Sequence, residues 1–147
     1  MSATADGPPG LYAPFRPRRG PLVARVLAVV LGAGAVFLAV ATPGEVTTFD
    51  RVGFLAVGAA AVWFLWRQAS VRAVPTPTGL HVRNLVRRTD LEWAQVVDVS
   101  FGGGRPWVQL DLSDGDTLAV MGVQRADGDR GVAEADRLAT LVALHTR

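Results

Sequence analysis

The chain has 147 residues, no cysteine and a formal net charge of +2, and all of its basic side chains other than histidine are arginine. This composition excludes disulfides, thiolate catalysis and cysteine-ligated metals, and the lack of lysine excludes Schiff-base and P-loop chemistry. From Arg67 to Arg147 ten arginines balance ten acidic residues, so this part lacks the basic excess that nucleic-acid binding requires.

Residues 1–20 are rich in proline, glycine, alanine and arginine and show no apolar periodicity. Such a composition predicts a disordered N-terminal tail. We expect its arginines to lie against anionic headgroups, because an apolar run follows directly.

Two apolar segments come next and predict a transmembrane hairpin over residues 21–68. The first, Leu22–Ala41, has about the 20 residues that cross a ~30 Å hydrocarbon core, with Arg25 near its edge. The second, Val52–Trp66, is uncharged but short, and it reaches adequate length with Val46–Phe49 included and with Arg51 and Arg67 extending to the interface.

Two other interpretations of these segments exist. They could be buried helices of a soluble core, although their length, apolar density and proximity favour a membrane. The first could instead be a signal peptide with an apolar region over Val26–Val40 and an A-x-A cleavage site at Ala39–Ala41. That apolar region is longer than in a typical signal peptide. Arg67 and Arg72 would also have to stay on the cytoplasmic side of the membrane.

Small residues recur at spacings of three and four in both segments, which favours close packing of the two helices. They are Ala28, Gly32, Ala35 and Ala39 in the first segment, and Gly53, Ala56 and Ala60 in the second.

The distribution of arginines predicts the orientation. The N-terminal flank carries four, the connection over residues 42–51 carries one, and Arg67 and Arg72 follow the second segment. The positive-inside bias therefore places both termini in the cytoplasm, in a multi-pass protein of the cell membrane.

After Ser70 apolar and polar residues alternate, which is typical of half-buried antiparallel strands. The predicted strands are Val71–Val74, Leu80–Asn84, Val86–Leu91, Val96–Phe101, Trp107–Leu112 and Thr117–Met121, with Val97, Val99 and Phe101 facing inward in the fourth. Asp114-Gly115 predicts a hairpin turn. Gly102–Gly104 is a hairpin loop and not a phosphate cradle, because neither a helix nor Lys-Ser/Thr follows.

The last segment predicts an amphipathic helix. Asp127 and Asp129 are placed to cap its start. An apolar face is formed by Ala135, Leu138, Leu141, Val142 and His145. We therefore predict an α+β domain over residues 69–147, in which about six or seven antiparallel strands curl into a small barrel capped by the helix.

Several stretches resemble the bacterial PH-domain family, and in particular its actinobacterial low-molecular-weight protein antigen type. They are Gly79–Asn84, Leu91–Val99, the Asp114-Gly115 hairpin and the closing helix, so the resemblance covers roughly residues 65–147. It implies a PH-like barrel behind two transmembrane helices, with no general activity. Phosphoinositide-binding PH domains carry basic residues between their first two strands, whereas Pro75–Thr78 here is uncharged, so the resemblance does not support that ligand.

No residue pattern predicts catalysis, a metal, a cofactor or a small-molecule substrate. His81 and His145 lie outside any metal-spaced cluster, and Ser100 near Asp98 lacks a positioned histidine. The acidic residues Asp111, Asp114 and Asp116 flank a turn, where solvated charges are the ordinary outcome.

Two features are candidates for binding. One is the basic cluster Arg83, Arg87 and Arg88, which either faces anionic lipid or pairs with Asp90 and Glu92. The other is Trp107, on the outward register beside the glycine loop, which either contacts a partner or packs under the terminal helix. Trp93 is expected to pack where the barrel closes.

The leading functional hypothesis is a membrane-anchored PH-like interaction or scaffolding module at the cytoplasmic membrane surface, without catalysis. It would bind the bilayer through two helices and a membrane-protein partner through its domain, and it would not bind nucleic acid. The alternative is sensing of an anionic lipid surface by the PH-like domain.

Overall fold

The computed structural model describes residues 10–146. The chain divides into two compact units. One is the helical segment Arg19–Ser70, and the other combines the residues up to Arg18 with those from Val71 onward.

The helical unit consists of α1 (Arg19–Ala41) and α2 (Thr48–Ala69). A capping box starts α2 four residues earlier than the apolar run alone suggests. The backbone N–H of Asp50 donates to the Thr47 hydroxyl at 3.2 Å, and the N–H of Thr47 donates to the Asp50 carboxylate at 2.9 Å. At 1.5 Å per residue both helices are about 33–35 Å long, enough for a hydrocarbon core.

The two helices pack against each other through small residues, as predicted, but the contacting face of α2 differs from the prediction. A Cβ added at Gly58 would lie 2.3 Å from the Ala35 Cβ. The predicted face of α1 is confirmed, since Ala28, Gly32 and Ala35 are half-buried and Ala39 is buried.

The predicted face of α2 was wrong: Gly53, Ala56 and Ala60 are exposed. Gly58 lies five positions after Gly53, about 140° around the helix, and it permits the closest approach of the two backbones.

The second unit contains six strands and one long helix. They are β1 (Arg72–Pro75), β2 (Gly79–Arg83), β3 (Arg88–Glu92), β4 (Val96–Ser100), β5 (Trp107–Leu112), β6 (Thr117–Gln124) and α3 (Asp129–His145). Two antiparallel three-stranded sheets result, in the orders β1-β2-β3 and β4-β5-β6. Between them lies a 3-10 turn, Trp93–Gln95. This confirms an α+β fold of antiparallel sheets and a C-terminal helix. The closed barrel stays a prediction, because the pairings of the described strands form two separate sheets.

The fourth strand corrects one predicted register. Val96 is buried and Val97 is 66% exposed, whereas the alternation pattern placed Val97 inward. An irregularity lies between Val96, opposite Leu112, and Asp98, opposite Asp111. A bulge of this kind changes which face of the sheet the neighbouring side chains point to, and the alternation pattern does not predict it.

The start of α3 also differs from the prediction. Its N-cap is Gly128, at φ 63°, without a side-chain cap. The Asp127 carboxylate instead accepts a hydrogen bond from the backbone N–H of Arg18 at 3.0 Å. The apolar face of α3 is confirmed at Ala135, Leu138, Leu141 and Val142, which are buried.

The core of this unit lies between the sheets and α3. Its fully buried side chains include Leu80, Leu110, Val108, Val120, Leu138 and Leu141. Trp93 is buried among them, and its indole N–H donates to the Thr76 carbonyl at 2.8 Å. The tryptophan of the turn between the sheets is therefore a core residue.

The N-terminal segment corrects the predicted disordered tail. Residues 10–18, here called the N-terminal strap, pack against α3 and pair with β1 at one position. Phe15 is completely buried, its N–H donates to the Ala73 carbonyl at 2.8 Å, and the N–H of Ala73 donates back at 3.0 Å. Residues 1–9 of the predicted tail lie outside the described residues.

Candidate functional site

Three arginines lie side by side across the first sheet. Arg72 on β1 is the register partner of Arg83 on β2, and Arg83 is the partner of Arg88 on β3. Residues directly opposite each other project to the same face of a sheet. These three residues, here called the arginine row, thus concentrate positive charge at one end of that face.

The arginine row lines a shallow cleft of about 160 Å³ together with His81 and Asp90. Arg72 and Arg88 are exposed, and Arg83 is half-buried. His81 Nδ1 lies 2.6 Å from an Asp90 carboxylate oxygen. The carboxylate that lines this cleft therefore has a hydrogen-bond partner in His81.

The row agrees only partly with the predicted cluster of Arg83, Arg87 and Arg88. Arg87 lies in the turn between β2 and β3, where its carbonyl accepts a hydrogen bond from the N–H of Asn84 at 2.9 Å. Arg72 was missed, because it is eleven positions from Arg83 in the sequence. The signal that identifies it is the pairing of the two strands that flank the Pro75–Thr78 turn.

Trp107 lies in the other sheet, at the first position of β5. It is half-buried, opposite Gln124, and the register shifts between it and Val108. The structure therefore does not bring Trp107 together with the arginine row, and its predicted contact with a partner stays a prediction.

A second polar cluster holds the N-terminal strap on α3. Arg137 Nη1 donates to the carbonyls of Gly10, Leu11 and Ala13 at 3.1, 2.8 and 2.7 Å. Its guanidinium carbon lies 3.8 Å from the centre of the Phe15 ring, and its Nη2 pairs with Glu134 at 2.6 Å. One side chain thus combines hydrogen bonds, an ion pair and a cation–π contact.

His145 belongs to the same surface and was not predicted to have this role. Its Nδ1 lies 2.8 Å from the Leu141 carbonyl, which can only accept, so Nδ1 carries the proton. In the neutral ring Nε2 then accepts from the Tyr12 hydroxyl at 3.0 Å. The ring also stacks on Trp93 at 5.0 Å, so it joins the strap to the core.

Comparisons with known proteins assign the chain to a family. A family model described as "Bacterial PH domain" matches residues 70–140. The chain is also 35% identical over 134 residues to uncharacterized proteins of Mycobacterium tuberculosis and Mycobacterium bovis, a match that covers 88% of this chain and 87% of each relative. The chain belongs to the bacterial PH-domain family. No solved structure matches it.

Membership of this family accounts for the fold of the domain and implies no particular reaction. The matched region begins at Ser70, just before β1, and includes the arginine row and most of α3. Because the relatives match over 88% of the chain, the similarity extends beyond the PH-like domain into the helical unit. A PH domain suggests a module that binds and does not catalyse.

Two acidic residues near the β5–β6 turn have structural contacts. Asp114 accepts from the N–H of Asp116 at 3.0 Å within the β5–β6 turn, and Asp111 accepts from the Thr117 hydroxyl at 3.3 Å. Within residues 10–146 no three potential ligands from histidine and the acidic side chains cluster around a metal-sized site.

Proposed function

We propose that this protein is a membrane-anchored, non-catalytic PH-like interaction module at the cytoplasmic membrane surface. The helices α1 and α2 would cross the bilayer, and the PH-like domain would bind a membrane-protein partner. The observation that carries the proposal is the exposure of the apolar side chains of both helices.

Both helices are long and apolar enough to cross a membrane, and little of their apolar surface is covered. Only 11% of the most apolar stretch of α1 and 6% of that of α2 is buried. Val29, Phe37 and Val57 are each about 70% exposed. A core helix of a soluble protein is mostly buried, whereas lipid covers such a surface at no cost in hydration.

The N-terminal strap supports a hairpin over a cleaved signal peptide. The strap precedes α1, yet Phe15 pairs with Ala73, which follows α2. Cleavage after Ala41 would separate the strap from the domain whose core it completes. The strap and the domain form one unit, so the proposal places both ends of the hairpin on the same side of the membrane.

The strap also supports the proposed closure of the two sheets into a barrel. A Cβ added at Gly122 of β6 would lie 2.9 Å from the Phe15 carbonyl oxygen and 3.0 Å from the Ala73 nitrogen. Glycine therefore lets β6 approach β1 and the strap closely. We propose that this approach closes one side of a PH-like barrel.

Cysteine accessibility tests the anchoring and the orientation, and the natural chain contributes no background because it lacks cysteine. Single cysteines would replace Pro14 in the strap, Glu45 between the helices and Ser113 in the β5–β6 turn, all exposed positions. In intact cells a membrane-impermeant maleimide should label only E45C, and permeabilisation should expose P14C and S113C. Labelling of all three in intact cells, or release of the chain by alkaline carbonate, would contradict the proposal.

A photo-crosslinking residue at position 107 tests the proposed partner. Its matched control is position 113 in the exposed turn of the same sheet. A discrete crosslinked membrane protein at position 107 and none at 113 would support a partner surface around Trp107. Equal, diffuse products at both positions would count against it.

A further inference from the structure

The strand β4 has one edge without a partner strand. It lies at the end of the sheet β4-β5-β6, and among the described strands it pairs with β5 alone. Between residues 10 and 146 no backbone hydrogen bond joins β4 to any element other than β5. An edge strand directs alternate N–H and C=O groups away from its sheet, so this edge offers a row of backbone donors and acceptors for another segment.

The free edge is also exposed. Val97 is 66% exposed, and Asp98 next to it is exposed as well. Beyond the bulge at Val97 the strand is regular through Ser100, since each residue from Asp98 onward is opposite one residue of β5. Proteins commonly protect such an edge with lysine or proline, and β4 contains neither.

The helix α3 runs beside β4 along the whole strand. At one end, a Cβ added at Gly131 would lie 3.7 Å from the ring of Phe101, the residue after β4. At the other end, the ring of His145 stacks on that of Trp93, three positions before β4. A segment added to the free edge would therefore lie next to α3.

One flank of α3 presents small apolar side chains to solvent. Val132, Ala139 and Ala143 are exposed, and at about 100° per residue they fall within about 40° of one another. Arg137, which holds the strap, lies across the buried face from them. The strap thus occupies one flank, and the apolar flank is open to a segment that lies beside β4.

The outer face of the same sheet carries two opposed carboxylates. Asp98 is directly opposite Asp111, and like charges in this arrangement destabilise a sheet. Asp111 accepts a hydrogen bond from the Thr117 hydroxyl, and neither carboxylate forms a salt bridge with any residue between positions 10 and 146. A basic side chain on an added strand would lie next to Asp98 in this row and form an opposite-charge pair.

We propose that the free edge of β4 binds an extended, basic segment of a membrane-protein partner, which adds a strand to this sheet. Arginine or lysine side chains of the segment lie beside Asp98, and the alternate, apolar side chains face the open flank of α3. Cytoplasmic segments close to transmembrane helices are rich in arginine and lysine, which matches the charge of this face. The inference rests on the proposed function and names the chemistry of the partner.

The probe is a fluorescent peptide of alternating arginine and valine, about six residues long like a typical strand. Fluorescence anisotropy measures its binding to the full chain in neutral detergent micelles. Two further peptides carry N-methyl groups on all arginine nitrogens or on all valine nitrogens. Only one set of alternate N–H groups can face β4, so we expect about tenfold weaker binding for one methylated peptide and a change under about threefold for the other. Equal binding of both methylated peptides, or of a glutamate–valine peptide, would overturn the proposal.

Two pairs of variants locate the site. D98N removes a charge from the proposed row, and D116N removes one from the exposed β5–β6 turn as its control. A139W fills the open flank of α3, and A133W adds the same side chain at an exposed position about 120° away. We expect about threefold weaker peptide binding for D98N and for A139W, and a change under about 1.5-fold for the two controls. Equal changes in test and control variants would overturn the site.

The peptide titration and crosslinking at position 107 in cells give separable results. A chain that crosslinks a membrane protein but binds none of the peptides retains the proposed partner and loses the β4 edge as its site. A chain that binds the arginine–valine peptide in one register, without crosslinking in cells, retains the edge and loses the partner assigned to Trp107.

Discussion

At the scale of single residues, Arg137 and Phe15 decide whether the strap is ordered. Phe15 is completely buried, and the Arg137 guanidinium covers its ring while it donates to three strap carbonyls. Backbone carbonyls of an irregular segment need such partners once water is excluded. The strap is therefore fixed by a few side chains and not by regular secondary structure.

Replacing Arg137 with alanine should release the strap. Hydrogen bonds to charged groups contribute about 1.5–3 kcal/mol, so we expect R137A to lower the free energy of unfolding of the PH-like domain by about 2 kcal/mol. Hydrogen exchange measured by mass spectrometry should show faster exchange in residues 10–18. R105A, which replaces an exposed arginine in the β4–β5 loop, is the control, and equal exchange in both variants would contradict the assigned role.

Phe15 itself gives a second residue-scale prediction. Truncating a fully buried phenylalanine to alanine typically costs about 3–5 kcal/mol. F15A should therefore lower the urea midpoint of the domain, whereas A13G in the exposed part of the strap should change it little. A midpoint for F15A equal to that of the unmodified chain would show that the strap does not complete the core.

At the scale of elements, α1 and α2 approach each other most closely at one glycine of α2. A Cβ added at Gly58 would overlap the Cβ of Ala35, whereas a Cβ added at Gly53 would meet no atom of α1 within 4 Å. Small residues let helices approach in a membrane, where dispersion contacts and not the hydrophobic effect hold them together. Two glycines of one helix thus have different roles.

The matched pair G58A and G53A tests this difference. The new methyl group in G58A would overlap Ala35 and force the helices apart, with an expected loss of about 1–3 kcal/mol in detergent micelles. G53A should be neutral or stabilising by up to about 1 kcal/mol, because alanine favours helix over glycine. Unfolding in mixed micelles monitored by circular dichroism measures both, and similar losses in the two variants would refute the packing face.

At the scale of the whole molecule, the functional domain is discontinuous in the sequence. Its first part, the strap, precedes α1, and its second part begins at Val71 after α2. A fragment that starts at residue 70 therefore lacks Phe15 and its pairing with Ala73. Binding experiments on such a fragment would report on an incomplete core.

A fusion of residues 10–18 to residues 71–147 through a Gly/Ser linker should restore the soluble domain. Ten linker residues have a root-mean-square span of roughly 17 Å. We expect the fusion to unfold at a clearly higher urea concentration than residues 71–147 alone, by about 3 kcal/mol or more in free energy. The same fusion carrying F15A is the control, and coincident unfolding curves for all three proteins would contradict a discontinuous domain.

Much of the architecture follows from local sequence patterns. The lengths of the apolar segments predict α1 and α2, because a bilayer sets the length of a helix that crosses it. Alternation predicts the strands from Trp107–Leu112 onward, and periodicity predicts the buried face of α3. Gly79, by contrast, is required by a cross-strand contact, since a Cβ there would lie 2.0 Å from the Leu91 carbonyl oxygen.

Tertiary structure alone decided several features of the candidate site and of the core. Arg72 joins Arg83 and Arg88 only through strand register, and Val96 replaces Val97 in the core only through a bulge. The strap is surrounded in sequence by proline and arginine, and its order comes from contacts with β1 and α3, which lie far along the chain. Length and periodicity report what a segment can form by itself, whereas register and long-range pairing depend on which segments meet.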